Sequence, residues 1–235
     1  MSLMLAHQRK MKEQGQVETD ESAVASSAKI GIFPGGSVGT QQMAELLTNS
    51  LEEDLHQLHE IQAVTRKIEF KKNELIPKYQ PYISRLKELN QDHPLLGYYL
   101  VWLIDAQDWD EVLSFGSYCV ENNISLPERF KSELKTFLVG EFCKWAEAEL
   151  SADRSADPYI AQIFEMVIEQ DWDIADAVTA DLYKMMGFQQ EQNGELEEAA
   201  ELLTTALDIG AQVKTRLEKL KKKLKNSNES TEPKE

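Results

Sequence analysis

The stretch that decides the fold is residues 41–76, QQMAELLTNSLEEDLHQLHEIQAVTRKIEFKKNELI. Large apolar residues recur along it at steps of three and four positions, and it contains no proline or glycine. That spacing is typical of a helix with one apolar face. It predicts a helix of roughly thirty-odd residues, about 50 Å long at 1.5 Å per residue. The apolar seam consists of Leu47, Leu51, Leu55, Leu58, Ile61, Val64 and Ile68.

A seam this long and narrow is typical of a helix that packs against a partner helix. Two arrangements remain open from the sequence: self-association of the chain through the seam, and packing of the seam within one chain. In the first arrangement, the oligomerisation residues are Leu47, Leu51, Leu55, Leu58, Ile61 and Ile68.

Beyond this region the chain has the pattern of shorter helices. Pro77 and Pro81 are predicted to flank a turn into a helix that ends near Leu89, and Asp92-His93-Pro94 is a helix start signal. No segment keeps the period-two alternation of a strand. The predicted fold is therefore all-α, with a long N-terminal helix or helical hairpin, then a bundle of shorter helices, and no sheet. Residues 183–210 have the small-residue spacing of a tetratricopeptide-like C-terminal hairpin.

Charge is distributed very unevenly along the 235 residues, whose formal net charge is −16. Residues 91–213 carry six basic and 25 acidic side chains, whereas residues 214–225 carry seven basic side chains and Glu218. A large negative field repels nucleic acid in general. Segregated charge leaves the basic elements as the places where a polyanion can bind. The charge pattern permits a DNA partner without establishing one.

Composition limits the class of protein. No apolar run approaches the roughly 20 residues that span a bilayer, so we expect no membrane partner. Cys119 and Cys143 lie in apolar helical patterns, which favours reduced buried thiols in a cytosolic compartment.

Four regions are predicted: a flexible arm at 1–40, a long helix and turn helix at 41–92 for oligomerisation and DNA contact, an acidic helical body at 93–210, and a basic helix with a disordered tail at 211–235. Within the arm, residues 35–40 read GGSVGT but lack the lysine of a phosphate loop, so we interpret them as a linker.

Two acidic clusters are the candidates for a metal-dependent nuclease, which needs converging carboxylates. Because each cluster straddles a helix start, helix capping is the favoured alternative. No metal ligand set is predicted from the histidines, since His56 and His59 lack a third ligand. The clusters are Asp105, Asp108, Asp110 and Glu111, and Asp171, Asp173 and Asp176.

The order of elements resembles a known family. The residues that carry the resemblance are TQQMAELL (40–47), FKKNELIPKYQPYISRLKEL (70–89), LVWLIDAQDWDEVLSFGSYCVENNISLP (100–127) and MMGFQQEQNGELEEAAELLTTALDIGAQVKTRLEKLKKKL (185–224). These stretches, with AHQRKMK near the start, are similar to the small terminase subunit, or M protein, of temperate tailed phages with cohesive-end genomes.

The resemblance implies a viral DNA-packaging factor that acts in the host cytoplasm. Such proteins form rings, recognise the packaging site on double-stranded DNA and deliver it to the large terminase subunit. It also implies that ATP and Mg²⁺ belong to the large subunit and that this chain has no cofactor. The DNA contacts we assign are Arg9, Lys10, Lys12, Arg66, Lys67, Lys71, Lys72 and Lys78. The large-subunit contacts we assign are Lys214, Arg216, Lys219, Lys221, Lys222 and Lys223.

Three functions remain open from the sequence. The leading hypothesis is an oligomeric DNA-recognition subunit that directs cleavage and packaging by the large subunit. The second is a Mg²⁺-dependent endonuclease subunit that cuts the cohesive site itself, because the family is often described in that way. The third is a tetratricopeptide-like adaptor that binds a protein partner.

Overall fold

The computed structural model of the protein describes the backbone of residues 37–231 and the side chains of residues 41–226. The predicted arm, with Arg9, Lys10 and Lys12, therefore lies outside the described residues except for the start of the first helix. In chain order the elements are α1 (Ser37–Glu60), α2 (Val64–Phe70), a π-helical turn (Lys71–Leu75), α3 (Ile76–Glu88), α4 (Pro94–Asp105), α5 (Trp109–Glu121), α6 (Leu134–Ser151), α7 (Tyr159–Glu169), α8 (Asp176–Asn193), α9 (Leu196–Ile209) and α10 (Lys214–Thr231).

No strand occurs between residues 37 and 231, and the predicted all-α fold is confirmed. None of the described helices is long and apolar enough to cross a membrane. The subdivision of the chain at residues 92 and 210 and the tetratricopeptide likeness of the C-terminal hairpin stay predictions.

The single 50 Å helix predicted from residue 41 onward is wrong. Helix α1 ends at Glu60, residues 61–63 are not helical, and the chain restarts at Val64. The break lets the chain reverse: Asp54 of α1 contacts Lys78 of α3, while Thr48 contacts His93. The residue nearer the start of α1 contacts the residue that comes later in the chain, so the two segments run in opposite directions. The helical hairpin, the other arrangement predicted for this region, describes the structure.

The turn predicted at Pro77 and Pro81 is also absent. The backbone stays helical from Val64 to Glu88, with Pro77 at the start of α3 and Pro81 inside it. Proline lacks the amide hydrogen that an α-helix needs. Here the π-helical turn changes the hydrogen-bond pattern immediately before Pro77, so the helix continues through a position that breaks most helices.

Helix α4 lies at the centre of the main core. Nine of its twelve residues are buried, which is typical of a helix that is apolar on all sides and surrounded by others. Its Trp102 is fully buried, and Trp109 and Trp172 are each 6% exposed. These three tryptophans therefore serve core packing.

A second, smaller apolar cluster joins α9 to α10. Val213, immediately before α10, is buried together with Leu217 and Leu220 of α10 in a cluster with four residues of α9: Ala199, Ala200, Leu203 and Ala206. Helices α8 and α9 pack closely at Gly187, where an added Cβ would lie only 2.8 Å from the Leu203 side chain. Their connection uses Gly194 at φ +86°, a conformation that glycine adopts without strain.

Candidate nucleic-acid interface

Three of the predicted DNA-contacting residues lie together on α2 and the π-helical turn. Arg66 and Lys72 are exposed and Lys67 is half-buried. None of the three has an ion-pair partner in the part of the chain that the structure describes. Exposed basic side chains without a carboxylate partner can neutralise phosphates, because no ion pair within the protein has to be broken first.

Lys71 was predicted to contact DNA, and the structure corrects this prediction because its side chain is not exposed. Its side chain is only 10% exposed, and its ammonium group lies 2.5 Å from the Asp105 carboxylate at the end of α4. The wide π-helical turn directs Lys71 and Leu75 into the protein together. Lys71 therefore ties the turn to the central helix.

Lys78 is held by a polar cluster between α3 and α1. Its ammonium group lies 2.6 Å from Asp54, whose carboxylate also accepts a 2.6 Å hydrogen bond from the Tyr79 hydroxyl. Burial, and then the hydrogen bond to Asp54, raise the pKa of Tyr79 above its ordinary value. Although Lys78 remains 45% exposed, its charge is already matched by a carboxylate that is 9% exposed.

Neither ion pair could be predicted from the sequence, where Asp105 is a member of an acidic cluster and Asp54 lies inside the first helix. Asp105 lies 34 positions from Lys71, and Asp54 lies 24 positions from Lys78. No local spacing rule connects residues so far apart. The sequence signal that could have identified Asp54 is its position beside Leu55, in a helix whose apolar residues face the core.

The seam assigned to oligomerisation is packed within one chain. Leu47 and Leu51 are each 4% exposed and Leu58 is 7% exposed in the main core, with Leu55 and Ile61 packed against it. These side chains belong to the core of their own chain, which is the other arrangement that the sequence left open. Self-association stays a prediction, and Val64 of the seam is 72% exposed.

The acidic clusters lie at helix starts only in part, since Asp105 ends α4 and only Asp176 of the second cluster lies in the first turn of α8, and neither cluster caps by hydrogen bonding. Asp108 is the residue before α5 and its side chain makes no bond to a helix amide, while Asp110 and Glu111 occupy the first turn. Their charge there stabilises the positive end of the helix dipole. Burial raises the pKa of the Tyr159 phenol, and the hydrogen bond that it donates to Asp110 raises that pKa further.

Metal-ligand residues do not converge within the described ranges: no group of three or more His, Cys, Asp or Glu side chains could hold an ion there. Asp105 is instead engaged by Lys71. The His93 ring packs beside α1 and accepts a hydrogen bond from the Leu95 amide at the start of α4.

The basic helix α10 holds the residues assigned to the large subunit. Arg216 forms a 2.6 Å ion pair with Glu191 of α8 and lies 3.7 Å from the centre of the Phe188 ring. Lys223 approaches the same Glu191 at 3.6 Å. The other four residues of this set are exposed: Lys214, Lys219, Lys221 and Lys222.

Comparisons with known proteins give the family. The model of the phage small terminase subunit family matches residues 48–177. A probable terminase, endonuclease subunit, of Haemophilus phage HP1 (strain HP1c1) is 28% identical over 142 residues, which are 60% of this chain and 50% of that protein. The chain thus spans about half the length of that relative. No solved structure matches the chain.

The family match covers α2, the π-helical turn and α3 to α7 completely, together with 13 of the 24 residues of α1. It confirms the resemblance that the sequence stretches carry. With more than half of its residues inside the matched region, the chain belongs to the phage small terminase subunit family.

Proposed function

We propose that this chain is the DNA-recognition subunit of a viral terminase. It binds the packaging or cohesive-end site on double-stranded DNA as a ring-shaped oligomer. It then directs cleavage and ATP-driven packaging by the large subunit, which supplies ATP and Mg²⁺ chemistry. Host cytoplasm is the compartment in which this assembly acts.

The observation that carries the DNA-binding part is the contrast between α2 and the body. Of the six basic residues within 91–213, Lys144, Arg154 and Lys184 are matched by carboxylates of the same body. Arg129 and Lys135 lie over the rings of Phe130 and Trp172, and Lys131 is exposed between Glu128 and Glu133 in the sequence. Arg66 and Lys72 have no such match among the described residues. Phosphates are attracted to the unmatched cations and repelled by the acidic surface, so α2 and the π-helical turn form the favoured docking edge.

The test compares two variants that each remove one exposed arginine and one exposed lysine. Arg66→Ala/Lys72→Ala changes α2 and the turn, while Arg129→Ala/Lys131→Ala changes the exposed connection between α5 and α6. Binding of a labelled packaging-site duplex is followed by fluorescence anisotropy between about 50 and about 200 mM salt. Each phosphate contact contributes about 0.9 to the slope of log K against log salt.

The α2 variant should bind more weakly, and its salt slope should fall by up to about two. The control variant should keep a slope near that of the unaltered protein. Equal slopes for the unaltered protein and the α2 variant would move the DNA contact away from α2.

We also propose that residues of α10 contact the large subunit. This contact links the subunit that recognises DNA to the subunit that packages it. The basic character of α10 supports the proposal, because residues 214–225 carry seven basic side chains and one carboxylate, Glu218. The α1 leucines are buried in their own chain, so neighbouring copies of the proposed ring join through other surfaces.

A second candidate is an endonuclease subunit, suggested by the name of the Haemophilus phage HP1 relative. Incubation of the purified chain with Mg²⁺ and a cohesive-site duplex, without the large subunit, distinguishes an endonuclease subunit from a recognition subunit. Specific cutting by the chain alone would establish the nuclease. An intact duplex that is nonetheless bound is the result expected for a recognition subunit.

A further inference from the structure

A groove of about 820 Å³ runs between the C-terminal part of α8, the connection after α9, and α10. Its lining is apolar at Phe188, Leu207 and Val213. Val213 is 3% exposed, and Phe188 and Leu207 are half-buried. A concave site of several hundred cubic ångströms is large enough to receive a few side chains.

The polar lining of the groove is strongly basic. Lys214, Arg216, Lys219 and Lys223 all line it, and Glu191 is its one carboxylate among the described residues. That carboxylate is already approached by Arg216 and Lys223, at 2.6 and 3.6 Å. The groove therefore keeps an excess of positive charge above an apolar base, next to a body with a net charge of −19 over residues 91–213.

This combination fits a polypeptide better than it fits DNA. Apolar side chains of a peptide can fill the base of the groove while neighbouring carboxylates meet the basic rim. A duplex offers phosphates but no apolar side chain, and its long charged backbone would extend over acidic surface beyond the groove. The exposed Glu195, Glu197 and Glu201 at the start of α9 belong to that surface.

We propose that this groove binds an acidic polypeptide segment with an apolar anchor, supplied by a protein partner of the packaging complex. The proposal rests on the proposed function, in which α10 contacts the large subunit, and it names the chemistry of that contact. Arg216 is held in place by Glu191 and by stacking on Phe188, so part of the rim is preorganised.

The test uses a labelled peptide with carboxylates on both sides of a Leu-Phe pair, and a counterpart with amides in place of the carboxylates. Two variants reverse the same amount of charge. Lys214→Glu/Lys219→Glu changes the groove rim, and Arg129→Glu/Lys131→Glu changes exposed basic residues of the connection between α5 and α6, which do not line the groove. Circular dichroism checks that both variants keep the helical fold, and a duplex is titrated in parallel.

The acidic peptide should bind the unaltered protein, and the amide peptide should bind at least tenfold more weakly. The rim variant should lose at least tenfold in affinity, whereas the control variant should lose less than about threefold because its charges are screened from the groove. Absence of peptide binding, or equal losses in the two variants, would overturn the proposal.

Two further results separate this proposal from the proposed function. If the rim variant loses duplex binding and the peptide does not bind, the groove is a nucleic-acid site and the proposal is wrong. If the peptide fails to bind while duplex binding still depends on Arg66 and Lys72, the proposal fails and the DNA-recognition function stands.

Discussion

The Lys71 ammonium group and the Asp105 carboxylate meet 2.5 Å apart, which joins the π-helical turn to the C-terminal end of the central helix α4. The next residue, Lys72, is exposed. Two adjacent lysines therefore have different tasks: one fixes the turn against the core, and its neighbour remains available to an anionic partner.

Replacing Lys71 should destabilise the fold, whereas replacing Lys72 should weaken DNA binding. Lys71→Ala leaves Asp105 without its partner, which should lower the free energy of unfolding by about 1–3 kcal/mol. Lys72→Ala should change that free energy by less than about 0.5 kcal/mol. Urea unfolding measures the first effect, and duplex binding measures the second. A Lys71→Ala protein as stable as the unaltered chain would contradict the structural role.

His93 should make stability depend on pH in the mildly acidic range. Burial lowers its pKa, although the Ala44 carbonyl and Asp92 act in the opposite direction. Below pH 6.5 the unfolded chain takes up a proton that the folded chain resists, so stability is fully present above that pH and is lost as pH falls through the folded-state pKa.

The matched variant is His93→Asn, which keeps an acceptor for the Leu95 amide but does not titrate. Urea midpoints measured between about pH 7.5 and about pH 5 should fall more steeply for the unaltered protein than for His93→Asn. Parallel curves would show that His93 is not the group responsible.

Two glycine-to-alanine changes should have opposite effects. A Cβ at Gly97 in α4 would overlap the Ser125 carbonyl oxygen, so Gly97→Ala should destabilise the protein by more than about 1 kcal/mol. A Cβ at Gly140 in α6 meets nothing within 4 Å, so Gly140→Ala should stabilise by up to about 1 kcal/mol. Thermal unfolding of the two variants compares them directly, and a tolerated Gly97→Ala would contradict the packing described here.

Both cysteines should be unreactive in the folded protein. Burial raises the pKa of Cys119 to about 12 and that of Cys143 to about 12. Because the thiolate is the reactive form, a thiol reagent at neutral pH should modify neither residue until urea unfolds the chain. Reaction of either thiol without urea would show that its helix opens under native conditions.

The helical class could be predicted from the sequence, because three- and four-residue apolar steps are a local property. The break after Glu60 could not, since Ile61, Val64 and Ile68 keep the helical spacing and no proline or glycine marks residues 61–63. The reversal is fixed instead by contacts across the hairpin, such as Asp54 with Lys78.

The candidate interface was predictable only in part. A basic run in the sequence identifies Arg66, Lys67 and Lys72, but the inward turn of Lys71 depends on a π-helical turn and on a carboxylate from another helix. The groove beside α10 was not predictable either, because Phe188 and Lys219 meet only when α10 packs beside α8.

In the proposed function the chain is an oligomer that recognises DNA. Native mass spectrometry of the purified chain, alone and with a packaging-site duplex at two salt concentrations, measures both properties at once. A ring-forming recognition subunit should give one high-order oligomer that retains the duplex at low salt and releases it at high salt. A monomer that is indifferent to the duplex at both concentrations would refute the proposed function.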